Sequence, residues 1–427
     1  MKNYRDYEQF GISRYMYELS ESLIPALQQV FSDIDEIANR RQLKVLKAFQ
    51  NSYLCEAELH GSSGYGYNDS GREKLEEAFA EALEAEAAFL RFQFASGSQV
   101  LYQMLRALLR SGDELIVATG TVYDSLQPGM RALSDQGITL KYIDLKLGDH
   151  TGSLCQRAEL DLETIVRSLS PSTKAVYVQK SRGYSLRPSL LSEDIKILRE
   201  TLDAAGFTVP ILVDNCYGEF VEKHEPTYYG ADLIAGSLIK NPGGGIAPSG
   251  GYIAGKKELV ELVAEQITAP GIGREIGPSL GFSRDLGLGL YLAPQIVANA
   301  LKTGAHLSAL FTELGYNVEP LASGRRGDIV QIIELGESSK LEAFAKAIQL
   351  AAPIDHHFTP IPSEMPGYDC DIIMASGSFT QGSSIELSAD GPLRPPFTAF
   401  FQGSFNFPAG RLAALLAGDA VRAVGGQ

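Results

Sequence analysis

Lys240 is the residue of this chain whose surroundings most suggest chemistry. It stands in Ala231-Asp-Leu-Ile-Ala-Gly-Ser237-Leu-Ile-Lys240-Asn-Pro-Gly-Gly-Gly245, just past an apolar run that reads as a buried strand and just before three glycines. An ammonium is costly to bury, and lysine gives up its proton readily on desolvation, which is what an amine needs to trap a carbonyl group. Glycines beside it remove side-chain bulk and let the backbone approach a flat ligand. Gly-rich loops are common, however, so this reading of Lys240 rests on its partners.

Three partners are present. Asp214 ends the apolar run Pro210-Ile-Leu-Val-Asp214. A carboxylate at a strand end can hold a protonated ring nitrogen by a charge-assisted hydrogen bond, or it can cap a helix or a turn. Phe94-Ala95-Ser96-Gly97-Ser98-Gln99 leads into a helix striped with Val100, Leu101, Met104, Leu105, Leu108 and Leu109. Free N–H groups and small hydroxyls at a helix start suit a phosphate, although Ser96 and Ser98 also suit ordinary capping. No Gly-Lys-Ser/Thr follows, which excludes a Walker-type loop. Tyr123, after another apolar run, can stack on a planar ligand or pack as a surface tyrosine. Amine, carboxylate, phosphate cradle and ring together meet the demands of a phosphorylated pyridine aldehyde.

These residues need elements to position them. Apolar spacings near three and four predict a helical segment over 13–51 and a further helix from Arg72 to Leu90, separated by the Gly-rich and Tyr-rich loop 60–71. Short apolar runs at 92–95, 114–119, 174–179, 210–214, 232–237 and 250–254 alternate with helical stretches. Such alternation predicts an α/β fold with a mostly parallel sheet, whose ligands sit at the carboxyl ends of the strands. Beyond the loop 270–277 the pattern becomes that of a smaller α+β domain, with a helix near 294–314 and strands near 328–334, 371–375 and 384–387. The expected division is residues 1–58 as an N-terminal helical segment, 59–280 as the large domain and 281–427 as the small one.

Bulk properties narrow the class further. A chain of 427 residues, 44% hydrophobic, supports a large core without disulfides or metals. The net charge of −15 is spread over many helix faces and speaks against nucleic acid or an anionic membrane as a partner. Met1 to Phe10 is polar and no stretch has the roughly 20 apolar residues of a membrane span, so a cytoplasmic protein is expected. Cys55, Cys155, Cys216 and Cys370 lie far apart, and adjacent His356 and His357 diverge, so neither a disulfide framework nor a metal site is expected.

Five stretches in order carry a resemblance: Gly64-Tyr-Gly-Tyr-Asn-Asp-Ser-Gly-Arg72, Gln179-Lys-Ser-Arg-Gly-Tyr184, Val213-Asp-Asn-Cys-Tyr-Gly-Glu219, Gly236-Ser-Leu-Ile-Lys-Asn-Pro-Gly-Gly-Gly245 and Gly391-Pro-Leu-Arg-Pro-Pro396. They resemble fold-type I enzymes dependent on pyridoxal 5'-phosphate (PLP). Within these the chain is most similar to the methionine γ-lyase-related or aluminium-resistance family, relatives of the cystathionine lyases and synthases. The resemblance implies a seven-stranded-type sheet in the large domain. It implies Lys240 as Schiff-base former and proton shuttle, Asp214 as partner of the pyridine nitrogen with Cys216 beside the cofactor, and Tyr123 as a stacking ring that shares in catalysis. Ser96, Gly97, Ser98 and Ser237 would surround the phosphate. Tyr67 and Arg72 would reach the phosphate of a neighbouring subunit, which implies a homo-oligomer, a dimer of dimers with shared sites. Arg394, in a stiff proline-rich segment, resembles the arginine that grips a substrate carboxylate, a task for its planar fork, with a surface-loop arginine as the lesser alternative.

The activity implied is carbon–sulfur lysis, a β- or γ-elimination on an L-amino acid of the cystathionine or methionine type. Aminotransfer would use the same Lys, Asp and Arg. A PLP-binding stress or metal-resistance protein without turnover is a third reading. One departure separates the chain from the wider group: Ile239 stands where the Thr of Ser-x-Thr-Lys would offer phosphate a hydroxyl.

Overall fold

A computed structural model describes residues 4–365 and 368–426. Its central sheet contains β1 (Ala87–Arg91), β2 (Glu114–Val117) and β3 (Thr139–Tyr142). After a surface ribbon of β4 (Lys146–Thr151) and β5 (Leu154–Glu159) come β6 (Thr173–Gln179), β7 (Ile211–Asp214), β8 (Leu233–Ser237) and β9 (Gly251–Gly255). The seven strands lie in the order β1-β9-β8-β7-β6-β2-β3. Neighbours from β8 to β3 pair in parallel, and β9 runs antiparallel to β8 and β1. The mostly parallel sheet expected from the sequence is present, with one reversed strand.

Helices cover both faces, which is why the strands read as continuous apolar runs. Side chains alternate across each strand: Ile116, Val176, Val213 and Ile234 enter one core, and Leu115, Tyr177, Leu212 and Leu233 the other. Helices Ser70–Ala82 and Ser192–Ala204 pack on the first face through Leu75, Phe79, Ile195 and Leu198. Helices Gly97–Leu108 and Lys257–Ile267 pack on the second through Leu101, Leu105, Val260 and Val263.

A second sheet follows, made of β10 (Asn317–Glu319), β11 (Gln331–Glu334), β12 (Ile372–Ser376), β13 (Leu387–Pro392) and β14 (Thr398–Gly403), ordered β10-β11-β14-β13-β12 and antiparallel throughout. Helices Ser338–Leu350 and Phe407–Val424 bury Phe344, Ile348 and Leu415 against it. The 31-residue helix Ser283–Glu313 runs through both cores, giving Leu290 and Val297 to the large one and Leu310 and Phe311 to the small one. No helix of the described residues is long and apolar enough to cross a membrane.

Expected element bounds shift at two places in the chain, residues 72–95 and 384–387. The helix expected to run from Arg72 to Leu90 ends at Ala82, because Glu84 turns left-handed at φ 58° and the chain then pairs along β9 as β1. Residues 92–95, expected as a strand, are the turn into the following helix. The strand expected at 384–387 begins only at Leu387, so residues 384–386 form a turn. In both places long-range pairing overrides the local apolar pattern.

The N-terminal helix Arg14–Ser52 is tied to the sheet by a buried cation. Arg41, 2% exposed, pairs with Glu225, donates to Ala82 O at 3.2 Å and lies 3.4 Å from Glu84. Glu225 in turn accepts the Phe220 N–H at 3.0 Å and the Asn215 side-chain amide at 2.9 Å, so one carboxylate shapes the turn that follows Asp214. Arg41→Met should lower the unfolding free energy by about 3–5 kcal/mol, read from urea denaturation. Adding Glu225→Gln should recover part of that loss, since the double variant leaves no uncompensated buried charge.

Candidate active site

A cavity of about 260 Å³ opens at the carboxyl ends of β2, β6, β7 and β8. Gly97, Ser98, Tyr123, Asp214, Cys216 and Lys240 all line it. Strand ends are where an open α/β sheet leaves polar backbone and side chains free for a ligand, and separate sequence segments converge there.

Asp214 closes β7, with only 3% of its surface exposed. Its Oδ1 accepts the Cys216 N–H at 3.0 Å. Burial raises its pKa to about 6, although the Cys216 contacts and the Lys240 ammonium pull the other way. A carboxylate so deeply desolvated and so sparsely bonded favours a cationic donor, and a protonated ring nitrogen supplies one.

The opposite end of the cavity is the start of helix Gly97–Leu108. Ser96 is its cap: the hydroxyl accepts the Gln99 N–H at 3.1 Å, and Gln99 Oε1 accepts the Ala95 N–H at 2.7 Å. The capping role left open for Ser96 is therefore the one its side chain adopts, and the first-turn N–H groups of Gly97 and Ser98 lack intrahelical partners. Ser237, 2% exposed, closes in behind them, and a Cβ on Gly97 would stand 3.4 Å from Ser237 Cβ and 3.8 Å from Cys216 Sγ. This end suits a phosphate.

Tyr123 forms the wall between the two ends. Its N–H donates to Gln179 Oε1 at 2.8 Å, and its hydroxyl lies 2.8 Å from Ser98 Oγ, which lies 3.0 Å from Ser125 Oγ. Gly183, at φ 59°, leaves room for the ring, since a Cβ there would come within 3.0 Å of Tyr123 Cβ. Burial pushes the phenol well above its ordinary pKa, so it stays protonated as a hydrogen-bond donor.

Lys240 follows β8 at the floor of the cavity, partly open to it though far from bulk water. Its Nζ donates to the Tyr217 hydroxyl at 2.6 Å and to Ser384 Oγ at 3.2 Å. Desolvation lowers its pKa, but Tyr217, Cys216 and Asp390 together outweigh that and hold it above the ordinary lysine value. The expectation of a pKa lowered by burial is corrected accordingly: the neighbouring groups shift it upward. The glycine run is corrected too. Gly243 to Gly245 pack against Leu238 O, Gly289 O and the Phe405 ring, so they seat the lysine loop on the long helix and do not approach the cavity.

Arg72, Tyr67 and Arg394 lie outside this chain's cavity. Arg72 is 5% exposed, and its guanidinium donates to Gly66 O at 3.0 Å and Gly277 O at 2.7 Å, which ties its own loop to the segment around Gly277. That loop presents Tyr67, 57% exposed. Arg394 is half-exposed and paired with Asp369 at 2.7 Å. Tyr217, Ser384, Asp390 and Gln179 line or contact the site without having been singled out as functional residues in the sequence. Tyr217 and Gln179 fall inside the stretches that carry the resemblance, whereas Ser384 and Asp390 arrive from the second sheet and leave no local signal.

Residues 16–422 match the methionine gamma-lyase family. The chain belongs to that family. It is 42% identical to the uncharacterized Bacillus subtilis protein YnbB over 88% of this chain and 90% of that protein. It is 38% identical to the crystal structure of a carbon-sulfur lyase involved in aluminum resistance from Clostridium novyi NT, with a TM-score of 0.91 over 97% of this chain and 98% of that one. The pyridoxal-5'-phosphate dependent protein YhfS from Escherichia coli, 19% identical, shares the fold at a TM-score of 0.60 over 91% of this chain and 97% of that one. The expected family, fold type and PLP cofactor are borne out, and the cavity residues fit that cofactor at its ring nitrogen, its phosphate and its aldehyde carbon.

Asp214 makes the fit measurable. The folded, cofactor-free protein holds the Asp214 proton more tightly than the unfolded chain, so the stability due to this group is full below pH 3.8 and is lost as pH rises through about 6. Asp214→Asn cannot ionise. In cofactor-free protein its stability advantage over wild type should therefore open between these pH values to about 3 kcal/mol, followed by thermal melting across pH. Adding PLP at pH 8 should narrow the gap, because the wild type alone gains the Asp214 contact to the ring nitrogen.

Proposed function

We propose that this protein is a PLP-dependent carbon–sulfur lyase that carries out β- or γ-elimination on an L-amino acid of the cystathionine or methionine type. The observation that carries the reading is the placement in one cavity of a buried carboxylate short of a cation, a lysine ammonium and an uncovered helix start, with a tyrosine ring between them. When bound, the cofactor withdraws electrons from the α-carbon of an attached amino acid. Asp214 holds the ring nitrogen and its proton. The Gly97 and Ser98 N–H groups, the Ser98 hydroxyl and Ser237 hold the phosphate. The Tyr123 ring would stack on the pyridine. Lys240 Nζ would take the α-proton and redeliver it.

Arg394 serves in this reading as the clamp for the substrate carboxylate, for which it exchanges its exposed pairing with Asp369. Tyr67, carried outward on the loop that Arg72 folds, reaches the site of a second copy, so the working form is a homo-oligomer. The family and the similarity to the Clostridium novyi carbon-sulfur lyase support the lyase reading over aminotransfer.

Protein loaded with PLP should show the visible absorbance of a lysine-bound cofactor, and Lys240→Ala should lose it. Incubated with L-cystathionine or L-methionine and no keto acid, the wild type should release ammonia and a keto acid, with Lys240→Ala about 10²- to 10⁴-fold slower. Strict dependence on an added keto-acid acceptor would turn the assignment to transamination, and a band retained in Lys240→Ala would overturn it.

A further inference from the structure

The turn after Asp214 carries Tyr217 into the cavity in an uncommon backbone conformation. Tyr217 adopts φ 70°, a left-handed conformation uncommon for a bulky side chain. The turn holds it there: Gly218 N–H donates to Asn215 O at 2.8 Å, and Gly218 has no room for a Cβ, which would meet Asn215 Oδ1 at 2.7 Å and Lys180 Nζ at 2.9 Å. The conformation delivers the phenol oxygen to within 2.6 Å of Lys240 Nζ. Ser384, 7% exposed, completes a triangle at 3.1 Å from the phenol oxygen and 3.2 Å from Nζ.

The three corners come from three places: the turn after β7, the loop after β8 and the turn before β13. Ile239, beside the lysine, points to the same turn, where a Cβ on Gly382 would lie 3.5 Å from its Cδ1. A side chain that offers no hydroxyl to phosphate thus helps to seat the Ser384 turn.

We propose that Tyr217 and Ser384 form a dock for the Lys240 side chain, holding Nζ in place during the interval in which a substrate amine has displaced it from the cofactor. A flexible four-carbon stem, once released, would otherwise sample many rotamers. Two oxygen acceptors within hydrogen-bond reach keep the amine near the carbon whose proton it exchanges. Both are positioning residues in this scheme, which rests on the lyase reading above.

The first test uses cofactor-free protein. Reductive methylation by formaldehyde and cyanoborohydride, followed by mass spectrometry of the Lys240 peptide, reports the proton on Nζ as a function of pH. Tyr217→Phe removes an acceptor from the ammonium, so the pH midpoint of Lys240 methylation should fall by about one unit or more, with a smaller fall in Ser384→Ala. The other ionisable groups facing Nζ, Asp214 and Cys216 on the β7 turn and Asp390 on β13, are the same in all three proteins.

With PLP bound, both variants should keep the visible band. Tyr217→Phe should lower kcat about 10- to 100-fold with KM little changed. An unchanged methylation midpoint in Tyr217→Phe and in Ser384→Ala, with the visible band intact, overturns the dock and leaves the lyase reading standing. Loss of the band from wild type would instead refute that reading. If Tyr217→Phe does not fold, Ser384→Ala alone decides, because its backbone turn does not depend on the hydroxyl.

Discussion

The pairing of Arg41 with Glu225 is the interaction on which the site geometry depends. Glu225 sits at the crossing of three segments: it binds a cation from the N-terminal helix and organises Asn215 and Phe220 on either side of Cys216 and Tyr217. The turn holds two bulky residues in left-handed backbone, Tyr217 and Phe220 at φ 62°, an arrangement that persists only where surrounding bonds over-determine it. A buried ion pair is a weak source of net stability but a strong source of specificity when its remaining bonds are satisfied. Here it fixes where Asp214 ends and where Tyr217 points.

The electrostatics of the site follow from how many carboxyl groups surround one lysine. Asp214 is raised to about 6, Asp390 to about 7 and Glu219 to about 8, in each case chiefly by burial. Glu219 accepts the Tyr252 hydroxyl at 2.7 Å beneath the lysine loop, and Asp390 borders the cavity beside Tyr184. Desolvation here restrains negative charge around the cavity. In the proposed function, the cation that would change that balance is a protonated ring nitrogen held by Asp214.

The second sheet is part of the site. Ser384 reaches Lys240, Asp390 lines the cavity, and a buried network ties the two sheets together nearby: Ser181 donates to Asp328 at 2.7 Å and Arg182 pairs with Glu319. The long helix Ser283–Glu313 contributes to both cores, so the two sheets share a rigid spine as well as a polar seam.

Much of this was legible in the sequence. Doubly buried strands announce themselves as apolar runs, so the parallel sheet and the strand ends at Asp214 and Ser237 could be read directly, and with them Lys240, Tyr123 and the Gly97–Ser98 helix start. What the sequence by itself determined was therefore the chemistry that local order can encode: a lysine after one strand, a carboxylate at the end of another, a capped helix after a third. Only the tertiary structure decided that Arg72 donates to both Gly66 and Gly277, that the glycines after Lys240 pack against a helix, and that Lys240 Nζ donates to Tyr217 and Ser384. The physical reason is the same in each case. Hydrogen bonds and desolvation depend on which atoms arrive from distant segments, and Ser384, 144 residues beyond Lys240, leaves no mark on the lysine's own neighbourhood in the chain.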